Sequence, residues 1–79
     1  MARAAILGTG LIGASVGIAL GRAGWQRTGW DPDRSALDKA MRFGAVDIAA
    51  EGGAVAVDGA DLIVLAGPVA AVVDTLGGL

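Results

Sequence analysis

Apolar and polar positions change rhythm several times along the chain, and each change marks an element. Ala4 to Leu7 is a short apolar run closed by Gly8, too brief for a helix and suited to a strand covered on both faces, as in a parallel sheet. From Leu11 to about Arg22 the apolar residues Leu11, Ile12, Val16, Ile18, Ala19 and Leu20 fall at mixed three- and four-residue steps, with Gly13 and Gly17 on one side. That spacing predicts a largely buried helix, ended at Gly24. Gln26 to Trp30 predicts a second short strand. Asp31-Pro32-Asp33 then makes a turn in which Asp33 can cap a helix from about Arg34 to Phe43. Leu37, Ala40 and Met41 fall on its inner face, Asp38, Lys39 and Arg42 mostly outward, and Gly44 stops it.

Ala45 to Ile48 reads as a brief third strand with Asp47 inside it, the Gly52-Gly53 pair as the opening of a loop, and Val55 to Ala60 as a short helical turn. Leu62 to Ala66 is a continuous aliphatic strand, entered from Asp61 and closed by Gly67-Pro68. Pro68 starts a further helix in which Val69, Val72, Val73 and Leu76 follow helical spacing. Strands alternating with helices at this pitch predict an α/β chain: a partial, Rossmann-like doubly wound parallel sheet with strand order 3-2-1-4. A domain of that type continues to further strands, so residues 1–79 read as its truncated N-terminal part.

Composition narrows the function classes. The chain is 54% hydrophobic with 14 glycines, which suits small strands covered by closely packed helices. Net charge is −2, and Arg3, Arg22, Arg27, Arg34, Lys39 and Arg42 are scattered, so no basic stripe exists to gather a nucleic-acid backbone. The absence of cysteine excludes disulfides and thiolate metal sites and fits a reducing, cytoplasmic setting. Histidine is absent too, which removes the commonest general acid or base from these residues, and no catalytic residue is assigned. Asp47, Asp58, Asp61 and Asp74 lack the clustering a metal site requires.

A rival reading starts from Ala4 to Leu20, which carries no charge and holds Gly13 and Gly17 at the small-xxx-small spacing, continued by Gly21, of packed membrane helices. The run is broken by Gly8-Thr9-Gly10 and falls short of the roughly 20 residues a span needs. An exported or membrane-inserted peptide is thus the alternative of another class, and a chain without a membrane partner the favoured one.

The turn after the first strand carries the chemistry. Gly8, Gly10 and Gly13 form G-x-G-x-x-G between a predicted buried strand and a predicted helix, and Asp31 ends the second strand about 20 positions later. In that pattern Gly8 permits the tight turn, Gly10 lets a pyrophosphate approach the backbone, and Gly13 lets the helix lie close on the strand. The N–H groups of Leu11 and Ile12 point at phosphate oxygens, with Thr9 completing the turn, and the helix dipole favours the charge. Asp31 accepts from the adenosine ribose and repels an added phosphate, so NAD is the expected cofactor rather than NADP. Arg34 can flank the adenine, and Ala66-Gly67-Pro68 can line the cofactor across the crevice beside the first strand. Each has a plainer reading: a helix cap for Asp31, a solvated side chain for Arg34, a proline-started helix at Pro68. Trp25 and Trp30 are read as packing residues rather than as base-stacking ones.

Ala5-Ile6-Leu7-Gly8-Thr9-Gly10-Leu11-Ile12-Gly13-Ala14-Ser15-Val16-Gly17 resembles the opening of the prephenate and arogenate dehydrogenases of tyrosine biosynthesis, whose pattern is close to G-x-G-L-I-G-G-S. Gly29-Trp30-Asp31, Ala40 with Gly44 and Asp47, and Ala60 to Val69 also look like that family's landmarks. Ala14 stands where the family usually has a second glycine, and Gly67 where the residue before proline is usually larger. The resemblance implies an NAD-dependent oxidative decarboxylation of prephenate to 4-hydroxyphenylpyruvate. It also implies that the catalytic histidine, the substrate-binding arginine and a helical dimerisation domain lie beyond the matched residues, so a homodimer is expected only with that domain. Dehydrogenases of the 6-phosphogluconate and hydroxyacid type share much of this scaffold, which keeps a hydroxyacid or imine dehydrogenase or reductase as the alternative on the same fold.

Overall fold

Short aliphatic runs closed by glycine become strands here because β-branched and small side chains fit a pleated surface covered on both sides. The computed structural model describes residues 2–66, in which the elements run β1 (Arg3–Leu7), α1 (Leu11–Arg22), β2 (Gln26–Trp30), α2 (Arg34–Arg42), β3 (Ile48–Ala49), α3 (Gly53–Val57) and β4 (Leu62–Leu65). The four strands form one parallel sheet in the order β3-β2-β1-β4, the predicted 3-2-1-4 arrangement. The Gly67-Pro68 pair and the helix read over 69–76 lie outside the described residues.

β1 is the central strand, and its alternation divides the core. Ile6 joins Leu37, Ala40, Ala45 and Val46 under α1 and α2, whereas Leu7 joins Ala50 and Ala56 under α3, with Trp30 packed against that second cluster. Successive side chains of a strand point to opposite faces, so a strand that is apolar at every position must be covered on both. Trp25 is half-buried at the other end of β2.

Several local expectations change. α1 is not largely buried: Gly13 and Gly17 are its buried residues, while Leu11 and Ile12 are 87% and 71% exposed. The helix lies on its glycine stripe, so close that a Cβ on Gly17 would overlap the Ala45 carbonyl oxygen; Leu11 and Ile12 face outward, while Ala14 and Ile18 pack against the core. Met41 of α2 is exposed rather than packed beside Leu37 and Ala40, one residue before the helix ends at Arg42. β3 starts at Ile48, not Ala45; Ala45 and Val46 are buried in the link before it, and the Asp47 N–H donates to the Arg27 carbonyl at 2.8 Å. α3 occupies Gly53–Val57 rather than 55–60, with Gly52 as its N-cap and Gly53 buried, so the glycine pair starts the helix instead of a loop. Among the described residues β4 pairs with β1 alone, and its Leu62, Ile63 and Leu65 are half-exposed.

Among the described residues no helix is long and apolar enough to cross a membrane. The uncharged run from Ala4 to Leu20 is divided between β1, a turn and α1, and the glycines at 13 and 17 serve close packing of helix on sheet.

Candidate functional site

The connections place the glycine turn where the sheet changes direction. From β1 the chain steps to β2 and β3 on one side, and β4 returns to the other side of β1. Leu7, Trp30 and Leu65 are abreast at the carboxyl ends of β1, β2 and β4. Beyond them, the Gly8 N–H donates to the Trp30 carbonyl at 2.8 Å, and the Ala66 N–H to the Leu7 carbonyl at 2.9 Å. In open α/β sheets a crevice forms outside the carboxyl ends at such a switch point, and ligands bind there.

Each glycine of the turn meets a different demand. Gly8 has φ +98°, a conformation that carries little penalty only without a side chain. A Cβ on Gly13 would overlap the Gly8 carbonyl oxygen and come within 3.3 Å of the Ala66 Cβ, so α1 can rest against β1 and β4 only with glycine there. Gly10 differs: its φ of −68° suits any residue, and nothing lies within 4 Å of where its Cβ would be. The fold therefore asks for no glycine at position 10, and the space before it is open.

Gly10 is also the N-cap of α1. It has no side chain to accept from the first turn, that turn holds no acidic residue, and the Ala14 N–H makes the first helical bond, to the Gly10 carbonyl at 2.8 Å. The leading N–H groups, at Leu11 and Ile12, are those an α-helix leaves without an internal partner, and the positive end of its dipole lies with them. The turn has the donors and the open approach that a diphosphate requires.

Asp31 comes to this turn from β2. Its Oδ2 accepts the Thr9 backbone N–H at 2.7 Å and the Thr9 hydroxyl at 3.2 Å, while Oδ1 accepts the Asp33 N–H at 2.8 Å. Thr9 is buried, at 5% exposure, so its side chain is committed to this contact. The cap of α2 is Asp33, whose Oδ1 accepts from the N–H groups of Ser35 and Ala36 at 3.0 and 3.4 Å; Asp31 braces the turn before it.

Between the two helix starts lies a groove of about 350 Å³, bounded by Thr9, Gly10 and Leu11 on one side and by Asp33, Ser35 and Lys39 on the other. Sequence reasoning missed this wall and placed Lys39 mostly outward; the i, i+4 spacing of Ser35 and Lys39, which sets them on one helix face, was the signal that could have found it. Arg34 is exposed on the first turn of α2 and does not line the groove. Of the expected site residues, Gly8, Thr9, Gly10, Leu11, Ile12, Gly13, Asp31 and Ala66 gather at one end of the sheet, whereas Gly67 and Pro68 lie outside the described residues.

A second polar cluster sits at the opposite end of β2. The Arg27 guanidinium donates to Asp47 through Nη2 at 2.8 Å and Nε at 3.2 Å, and through Nη1 to the Gly17 and Gly44 carbonyls at 2.9 and 2.6 Å. Those side-chain bonds, together with the Arg27 backbone N–H, hold the Asp47 carboxyl below its ordinary value. With every polar arm engaged inside the chain, this pair ties α1, β2 and the link before β3 together.

A crystal structure of Synechocystis arogenate dehydrogenase superposes on this chain with a TM-score of 0.85 and 31% sequence identity, over 98% of the chain. Fold and sequence are thus similar to a segment of that arogenate dehydrogenase. The chain spans about a quarter of the neighbour's length, 27%. No protein-family model and no curated protein sequence matches it. The likeness extends to both fold and sequence, in keeping with the prephenate and arogenate dehydrogenase resemblance read from Ala5 to Gly17.

Proposed function

We propose that the chain binds the ADP moiety of NAD, as the cofactor-holding segment of an oxidoreductase that decarboxylates prephenate, or its amino analogue arogenate, oxidatively. The observation that carries this reading is the contact between Thr9 and Asp31, which joins the phosphate-type turn to the acidic end of β2 in one crevice. In this reading the backbone amides of Leu11 and Ile12 hold the diphosphate, Gly10 leaves room for it, and Asp31 accepts from the adenosine ribose. Bound NAD supplies the hydride acceptor. The residues of this chain bind and orient, and proton transfer belongs to groups outside these 79 residues.

Calorimetric titration of the chain with NAD and with NADP tests the reading. NAD is expected to bind more tightly, because the Asp31 carboxylate opposes a further phosphate on the ribose. Tighter binding of NADP would remove the role given to Asp31, and failure of both to bind would remove the reading itself.

A further inference from the structure

Asp61 repeats before β4 what Asp47 does before β3. The Asp61 N–H donates to the Arg3 carbonyl at 2.8 Å, and its Oδ2 accepts the Arg3 N–H at 2.9 Å. The Asp47 N–H donates to the Arg27 carbonyl at 2.8 Å, and its Oδ2 accepts the Arg27 N–H at 2.8 Å. Each acid is the residue before an outer strand, and each arginine precedes the first paired residue of the inner one, Ala4 opposite Leu62 and Thr28 opposite Ile48. The carboxylate accepts where the outer strand has not yet begun to offer backbone carbonyls.

The strands so held are those whose side chains hold them least. β3 has two residues, both exposed, and β4 keeps Leu62, Ile63 and Leu65 half-exposed; among the described residues each strand pairs with one neighbour. Register is specified strongly where a strand buries a face and weakly where it does not. The inner pair, with β1 buried from Ala4 to Leu7, begins instead on a backbone bond, from the Gln26 N–H to the Ala2 carbonyl at 2.9 Å.

We infer that Asp47 and Asp61 set the register of the outer strands on the inner ones, and that Asp61, at the far end of β4 from the crevice, is thereby a positioning residue for Ala66. A slip of one residue turns every side chain of a strand to the other face. For β4 it would also part the Ala66 N–H from the Leu7 carbonyl and take the Ala66 methyl from its place beside Gly13. Among the described residues Arg27 and Asp47 form the one ion pair, so at β4 the acid acts on backbone alone. This holds whatever the crevice binds.

The test is amide hydrogen exchange by NMR on the isotope-labelled 79-residue chain and on Asp61→Ala, Asp61→Asn and Arg3→Ala, with the Arg27 amide as internal reference. In Asp61→Ala the amides of Arg3 and Ala66 are expected to exchange about tenfold or more faster relative to that of Arg27, the loss of one hydrogen bond to a charged group. Asp61→Asn, which keeps an acceptor oxygen, restores the parental ratio, and Arg3→Ala leaves it unchanged, because the bond is made by the backbone at that position. Should Asp61→Ala fail to fold, protection of the Arg3 amide in the parent chain and the behaviour of the other two variants still decide. An Arg3 amide unprotected in the parent, or an Asp61→Asn in which it is lost, overturns the inference. So does a folded Asp61→Ala in which Arg3, Ala66 and Arg27 all speed up by one factor, a general loss of stability, or in which Ala66 is unchanged.

Discussion

Arg27 and Asp47 hold each other twice over: the Arg27 N–H donates to the Asp47 carboxylate at 2.8 Å, the Asp47 N–H returns to the Arg27 carbonyl at 2.8 Å, and the guanidinium closes on the same carboxylate. The Arg27 side chain is 10% exposed and that of Asp47 43% exposed, so the cation is the buried member. A buried cation that loses its partner is costly, whereas the open carboxylate is screened by water, which moderates the pair's worth.

The folded Asp47 carboxyl lies below its unfolded value, so its contribution is complete at neutral pH and is lost as acid lowers the pH through the folded value. Asp47→Asn is expected to lower stability at pH 7 by about 1 to 2 kcal/mol, a buried-pair loss reduced for exposure. Its deficit against the parent chain should begin to shrink as the pH falls below the ordinary carboxylate value of about 4 and go on shrinking until the pH has passed the lower folded value. Urea denaturation of both chains at pH 7 and pH 3 measures this; a deficit of equal size at both would show that the charge is not what Arg27 needs.

Gly10 and Gly13 are expected to separate binding from folding. Gly10→Ala fills open space at an N-cap and should cost less than about 1 kcal/mol of stability, yet weaken NAD about tenfold or more by standing in the diphosphate's approach. Gly13→Ala collides with the Gly8 carbonyl oxygen and should destabilise the chain by about 3 kcal/mol, an overpacking cost at a backbone that cannot turn aside. Thermal unfolding alongside calorimetry distinguishes the two, and a folded Gly10→Ala with parental NAD affinity would count against the turn as the site.

Asp33 is the side-chain cap of α2, a helix of 9 residues. Asp33→Ala is expected to cost about 1 kcal/mol, with Asp33→Ser recovering most of it, as read from urea midpoints. If alanine were as stable as aspartate, the two hydrogen bonds to Ser35 and Ala36 would carry no net stabilisation.

Asp31→Asn removes the charge and turns one of the two acceptor oxygens into a donor, so one side of the brace, to Thr9 or to Asp33, is lost with it. The variant is expected to bind NAD more weakly and to narrow the preference over NADP, since the repulsion of a ribose phosphate disappears. Parallel titrations with both cofactors give the ratio, and an unaltered ratio would assign the preference elsewhere.

Much of this was legible along the chain. α1 and β2 fall on the residues that spacing and breakers predicted, because Gly8-Thr9-Gly10, Gly24 and Asp31-Pro32 interrupt the chain by local stereochemistry that no tertiary contact needs to supply. The cap at Asp33 was readable from local stereochemistry, and the strand order from the crossover rule for strands alternating with helices.

Sequence alone determined the alternation of strands and helices, the bounds of α1 and β2, and that a glycine turn follows the first strand with an acid at the end of the second, but not where β3 and α3 begin. Only the folded chain decided that Asp31 clasps Thr9, that Arg27 meets Asp47 in the link before β3, and that α1 rests on glycines while Leu11 and Ile12 face outward. Local propensity acts within a few residues, whereas these pairings join side chains 20 and 22 positions apart, and it is the packing of helices on the sheet that brings them within a hydrogen bond.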